Sequence, residues 1–241
     1  SSAASDVYKR QDQAFRFKTR RPRGGFVENI YVERVRANVK RQALYCDMLG
    51  SARWVGELAQ RYPAREITPL TPWFANISIH DVEITGCSTL VDVSALPEKP
   101  VKNFFFGNVK AHCDRIGKIC DATKFSMKDV RIESCDTVMR IDNCDYASFF
   151  GFSNVTTGSS VKIEKTGGEC RYLNVQTYPL VPVNYQSIRP GEVWLDTEGK
   201  PIQAHGFQVT FREGKYYWYG EDKTHTLFGT CLLYTSDAAD E

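Results

Sequence analysis

The chain has 241 residues, of which 42% are hydrophobic, 25% charged and 12% aromatic, with 17 glycines, 10 prolines and 8 cysteines. That mix excludes collagen-like, mucin-like and wholly disordered chains, and no run approaches the roughly 18 apolar residues a membrane-spanning helix needs. A formal net charge of +2 is too balanced to argue for nucleic-acid binding, and the cysteine content is well under that of a small disulfide scaffold.

The two ends read as something other than protein. Residues 1–11 are SSAASDVYKRQ and residues 231–241 are CLLYTSDAADE. Reverse translation of the first gives a DNA string whose opposite strand, shifted by one base, translates as the second. Both ends look like one sequencing-library transposon adapter read from opposite strands, and they are excluded from fold reasoning. The expectation is a genuine segment at residues 12–230, cut on both sides. The front end carries Lys9, Arg10 and Asp6 and the rear end Asp237, Asp240 and Glu241, which leaves the segment between them mildly basic at +4.

Within that segment a template repeats: apolar-x-apolar-x-x-apolar, preceded in three copies by Asn. Val27-Glu-Asn29-Ile30-Tyr-Val32-Glu-Arg-Val35 recurs as Phe74-Ala-Asn76-Ile77-Ser-Ile79-His-Asp-Val82 and as Val101-Lys-Asn103-Phe104-Phe-Phe106-Gly-Asn-Val109. Weaker copies start at Phe125 and Phe150, so the anchors Ile30, Ile77, Phe104, Phe125 and Phe150 stand 47, 27, 21 and 25 residues apart. The 47 is two coils, or one coil with a long loop over residues 53–71. Alternation at period two means strands. Short strands recurring every ~20–27 residues mean stacked coils, because one coil cannot bury its apolar face alone. A leucine-rich repeat has a similar period but demands a leucine framework that is absent here. The predicted fold is all-β, a right-handed parallel β-helix of the pectin-lyase-like solenoid type over residues 12–178.

Other columns follow from the same period. Asn29, Asn76 and Asn103 suggest a side-chain amide ladder at a bend. Cys87, Cys113 and Cys135 form one expected inward column and Cys120, Cys144 and Cys170 another. The sulfurs are spread by coil period with no CxxC pair, so they read as buried structural thiols and not as a metal site; no metal and no cofactor is expected. Disulfides between neighbouring coils remain open.

Ahead of the first repeat stands Ala14-Phe-Arg16-Phe17-Lys18-Thr-Arg-Arg-Pro-Arg-Gly24-Gly25-Phe-Val-Glu-Asn29-Ile30. Residues i and i+2 of a strand share a face, so Arg16 and Lys18 project together. Two cations on one face suit a polyanionic sugar, with Arg20, Arg21 and Arg23 extending the positive region; a solvated basic strand is the alternative. The string resembles glycoside hydrolase family 28, the polygalacturonases, where an Arg-Ile-Lys strand precedes a glycine pair and a Val-x-Asn-Ile strand. Here Phe17 replaces the usual Ile at a position expected to point into the coil. The resemblance implies that Arg16 and Lys18 line the substrate groove and hold a galacturonate carboxylate. It implies inverting hydrolysis by two carboxyl groups ~6.5–9.5 Å apart. The family's acid–base aspartates belong to motifs ahead of this strand, and only Asp12-Gln-Ala-Phe precedes Arg16. Asp142 and Asp145 read as turn residues. A groove tyrosine, often supplied by the following strand in this family, aligns with Tyr45 or equally with Met48. No catalytic residue is therefore assigned, and the chain is expected to be silent. A first coil beginning at Asp12 would also leave a strand edge unpaired, a self-association hazard.

Residues 179–190, with three prolines, read as an extended linker. Residues 191–230 begin a second unit, with alternating aromatic runs about Arg212-Glu-Gly-Lys215 giving a hairpin signal. The strings Ala204-His205-Gly206 and Tyr216-Tyr-Trp218-Tyr-Gly220-Glu221 resemble the opening of glycoside hydrolase family 43, above all its exo-β-1,3-galactanase-like branch. The resemblance implies the first blade of a truncated five-bladed β-propeller. His205, Trp218 and Glu221 would face its central pocket, Trp218 stacking on a sugar ring and Glu221 binding hydroxyls. Core packing is the alternative for Trp218 and the tyrosines, a turn role for His205.

The expected function is a fragment of a carbohydrate-active enzyme acting on pectin-type α-1,4-galacturonan. The alternative is a non-catalytic glycan-binding or structural β-helix attached to a family 43 exo-glycosidase, and a weaker third is an artificial joining of unrelated fragments. Expected partners are acidic plant polysaccharide and galactan side chains, with no nucleic acid and no membrane span. The substrate class places the protein outside the cytoplasm: secreted, periplasmic or at the cell surface.

Overall fold

Strands form wherever the alternating apolar pattern finds a parallel neighbour. The computed structural model describes residues 12–177, 202, 205–212 and 215–221; the two terminal elevens, the linker and most of residues 191–204 lie outside them. The chain divides into two compact units, Ser1–Leu180 and Val181–Glu241. In the first, the strands are β1 (Phe15–Lys18), β2 (Phe26–Asn38), β3 (Gln42–Asp47), β4 (Trp73–Ser94), β5 (Val101–Glu133), β6 (Val138–Asp145), β7 (Ser148–Phe150), β8 (Ser153–Asn154), β9 (Ser159–Ser160), β10 (Lys162–Lys165) and β11 (Asn174–Gln176). A short helix α1 (Ala52–Val55) and a 3-10 turn (Gly56–Ala59) interrupt them.

These strands make one eleven-stranded sheet, parallel throughout the described pairings save for the short β8–β9 contact. Ile30 pairs with Ile77, and Ile77 with Phe104; Met127 pairs with Phe149, and Phe149 with Val175. The chain thus returns beside itself at each repeat, an architecture compatible with a parallel β-helix. Because Ile30 meets Ile77 directly, the 47-residue step is a single return with a long loop.

Long strands survive the corners because particular residues take the left-handed backbone. Asn29, Asn76, Asn103, Lys124, Tyr146 and Tyr172 all have φ between 53° and 58°, and they recur at the repeat period. Arg34, Asp81, Asn108, Asp129 and Gly151 form a second such column. Asn and Asp tolerate this region because a short polar side chain bonds locally. The first column carries the expected ladder: Asn76 Nδ2 donates to Asn29 Oδ1 at 3.2 Å, and Asn103 Nδ2 to Asn76 Oδ1 at 2.8 Å.

Between the bends the apolar positions face inward. Phe104 and Phe125 stack at 5.0 Å with rings 8° from parallel, while Phe17 packs against Phe74 at 6.1 Å and edge-on against Phe104 at 6.2 Å. Such ring pairs add about 0.5–1.5 kcal/mol beyond burial. Phe17 therefore points into the core, as a middle residue flanked by two exposed cations should.

Two expected columns need correction. Phe150 is not the anchor after Phe125, because Met127 pairs with Phe149 and Lys128 with Phe150. The template is instead filled by Ala147, Phe149 and Phe152, all at most 3% exposed. Among the cysteines, Cys87 pairs with Cys113, and the Cys144 amide lies against the Cys170 sulfur. Cys135 is exposed, and Cys120 pairs with Ser94 and Asp142, outside the Cys144 column. All seven described cysteines are free thiols.

The loop between β3 and β4 is tied down by two arginines. Arg21 grips Glu98 through Nε and Nη2 at 2.7 and 2.6 Å, and its Nη1 donates to the carbonyls of Leu58 and Gln60 at 3.1 and 2.7 Å. Arg61 reaches from the loop to Asp121 and Asp142. In the second unit, β12 (His205–Arg212) and β13 (Lys215–Glu221) pair antiparallel. That hairpin is the extent of its described β structure; a propeller is not shown.

Candidate functional site

β1 is a four-residue strand bonded on one side to β3. Its alternation buries Phe15, turns Phe17 inward and leaves Arg16 and Lys18 exposed. The two cations expected from the sequence therefore share one solvent-facing side of the sheet. Arg16 pairs with Tyr45 and Lys18 with Asp47. Tyr45 pairs in turn with Asp92, and Asp47 with Ser94. The next steps are Lys118 and Cys120, then Arg140 and Asp142. At ~4.8 Å per strand, two neighbouring columns run across this face, Arg16–Tyr45–Asp92–Lys118–Arg140 and Lys18–Asp47–Ser94–Cys120–Asp142.

Tyr45 and Met48 differ in burial. Met48 is fully buried, whereas Tyr45 is half-buried on the Arg16 face. Burial, then the negative charge and hydrogen bond of Asp47, push the Tyr45 phenol up to about 12, opposed by Arg16. Tyr45 thus stays protonated and offers a donor. Its hydroxyl reaches Asp47 Oδ2 at 3.2 Å, while Asp47 Oδ1 accepts from the amides of Leu49 and Gly50 at 3.0 and 2.9 Å. Asp47 is a turn-holding carboxylate. Asp92 is different: its Oδ1 is buried with no hydrogen-bond partner. Burial raises its carboxyl above the ordinary value against the pull of Lys118.

The positive region is narrower than the run of arginines suggests. Arg20 is half-buried and Arg23 exposed, but Arg21 is 4% exposed and committed to Glu98. Burying so hydrated a group demands full pairing, which the Glu98 fork and loop carbonyls supply. Asp142 and Asp145 are each paired with an arginine. Arg61 Nη1 holds Asp142 at 2.8 Å, and Arg171 holds Asp145, whose carboxyl it keeps below the ordinary range.

Sequence reasoning missed Asp92, Lys118 and Arg140, which enter the face only through strand register. The 47-residue step of the first two anchors leads from Tyr45 to Asp92, but Lys118 and Arg140 lie at offsets of 26 and 22, which the anchor spacings of 27 and 25 do not give, because the register shifts between Ile84 and Cys87 and the anchor after Phe125 is Ala147. In the second unit, His205 pairs with Glu221 and Val209 with Trp218 along the hairpin backbone; the side chains of His205, Trp218 and Glu221 lie outside the described part of the structure. No protein family, curated protein or solved structure matches the chain.

Proposed function

We propose that the first unit is the C-terminal half of a right-handed parallel β-helix of the polygalacturonase type, and that its Arg16–Tyr45 face binds galacturonan. The observation that carries this reading is the register: an exposed Arg16 stands beside Tyr45, with Lys18 two residues along on the same face. A guanidinium, an ammonium and a neutral phenol suit an acidic sugar chain: the two cations are charge-assisted donors for carboxylates, and the phenol offers a flat ring and an oxygen that accepts from hydroxyls. The whole enzyme hydrolyses pectin-type chains by inversion outside the cytoplasm. Among the described residues no helix is long and apolar enough to cross a membrane.

This chain by itself binds without cleaving. Inversion needs an acid and a base, and the carboxylates on the face do not supply that pair. Asp47 is occupied by two backbone amides and Tyr45 and Asp142 by Arg61, which leaves Asp92. The same observation favours a second reading, a non-catalytic glycan-binding β-helix that presents substrate to a family 43-like exo-glycosidase begun by the β12–β13 hairpin. The test is incubation with polygalacturonate, followed by co-sedimentation and a reducing-end assay. Retention at low salt without release of reducing ends is expected. Release would show a competent acid–base pair on the face, and absence of retention would end the glycan reading.

A further inference from the structure

The Arg16 column carries one acid among its cations. In strand order it runs Arg16, Tyr45, Asp92, Lys118, Arg140, and its three cations are exposed. Asp92 thus stands at the middle of the row. Arg16 and Lys118 are separated by three strand steps, about 14 Å, so a polymer that reaches both passes over Asp92.

The groups facing Asp92 come from both neighbouring strands. β3 and the turn ahead of it present Tyr45, Cys46, Asp47, Gln42 and Arg41, and β5 presents Lys118. Lys118, Arg41 and the Gln42 side chain favour an ionised carboxylate, while Asp47 opposes it. Burial decides between them. Asp92 Oδ1 is sealed from solvent and has no hydrogen-bond partner, so a charge there finds neither water nor a donor. The carboxyl is accordingly raised above the ordinary Asp value despite the cations. Asp47, one column over, shows the contrast, since both its oxygens accept hydrogen bonds.

We propose that Asp92 gates this face by pH, letting an acidic glycan bridge Arg16 and Lys118 while its carboxyl is neutral and repelling the glycan once ionised. The inference rests on the galacturonan reading of the Arg16–Tyr45 face. A neutral Asp92 leaves the row purely cationic, whereas an ionised one sets a negative charge at its centre. Like charges a few ångströms apart repel enough to cost about threefold in affinity even with water-like screening. Binding therefore weakens as pH rises through the Asp92 carboxyl. Tyr45, pushed up to about 12, keeps its proton throughout that range.

The test is calorimetric titration of an oligogalacturonate into the parent and into Asp92→Asn, at low salt and from about pH 4 to about pH 8. Both proteins meet the same sugar at each pH, so the ratio of their affinities isolates Asp92 from titration of the ligand. The variant should bind about threefold more tightly at the highest pH, with the ratio falling toward one at the lowest. Asp92→Ala carries the same comparison if Asp92→Asn fails to fold. Carboxyl-carbon NMR of the parent reads the Asp92 midpoint directly and should place it above the ordinary value of about 3.9. A ratio that does not change with pH, or a midpoint at or below that value, would overturn the gate and leave the glycan reading standing. Absence of binding by either protein at every pH would end both.

Discussion

Arg61 and Asp121 stand 60 residues apart in sequence, and the guanidinium meets the carboxylate side-on, Nε to Oδ2 at 2.6 Å and Nη2 to Oδ1 at 2.9 Å. Asp121 is fully buried, so the β3–β4 loop is the source of its countercharge. Removing one partner of a buried pair leaves an uncompensated charge, a loss on the order of 3 kcal/mol. Arg61→Ala is expected to lower the unfolding free energy by that amount, read as a lower urea midpoint with an unchanged slope. Arg61→Met combined with Asp121→Asn should recover much of the loss; a single variant as stable as the parent would show the loop pairing to be idle.

Stability should also fall with acid through Glu98. Burial alone raises this carboxyl, but the Arg21 fork overrides it and holds the group below its ordinary value. A folded value below the unfolded one, about 4.3 for Glu, means stability present above that pH and lost as pH falls through the folded value. Urea denaturation from about pH 6 to about pH 3 should show this loss, and Glu98→Gln should flatten the curve. An acid slope unchanged in that variant would contradict the assignment.

The amide ladder supports two kinds of term that substitutions separate. Asn76 donates to Asn29, accepts from Asn103 and holds φ at 54°. Asn76→Ala loses both hydrogen bonds and strains the left-handed backbone, a cost of roughly 2–3 kcal/mol. Asn76→Gly keeps the backbone at ease and loses the bonds, so it should cost less. Thermal unfolding that ranks Gly below Ala would place the burden on packing instead.

Thiol reactivity should follow burial. Burial pushes the Cys144 thiol up to about 12 and raises Cys46 as well, whereas Cys135 is exposed. Native alkylation followed by peptide mass mapping should mark Cys135 first, with Cys46 and Cys144 protected until the chain unfolds. Equal labelling of all three would contradict the core as described.

How far the repeat was readable depended on side-chain size and on which residue takes each bend. Ile30, Ile77 and Phe104 carry large anchors after an Asn, and their pairing follows the sequence template. At the fifth copy the anchor is Ala147 and the bend Tyr146, neither of which carries a sequence signal, so neighbouring Phe150 mimicked an anchor three residues late. Cys120 was misplaced because equal spacing in sequence ignores register shifts between strands. Arg16 and Lys18 on one face were legible because strand alternation alone decides it. Asp92 was not, since its neighbour Tyr45 lies 47 residues away and that spacing left open whether one coil or two separated them.

The glycan-binding claim is tested most directly by calorimetric titration of polygalacturonate into the chain and into its Arg16→Ala/Lys18→Ala variant, at low and moderate salt, with neutral galactan as control. The account predicts binding to the acidic polymer that weakens as salt rises. The double variant should bind at least about tenfold more weakly, as the loss of charge-assisted contacts worth about 1.5–3 kcal/mol each requires. Equal affinity of parent and variant, or equal binding of the neutral polymer, would contradict it.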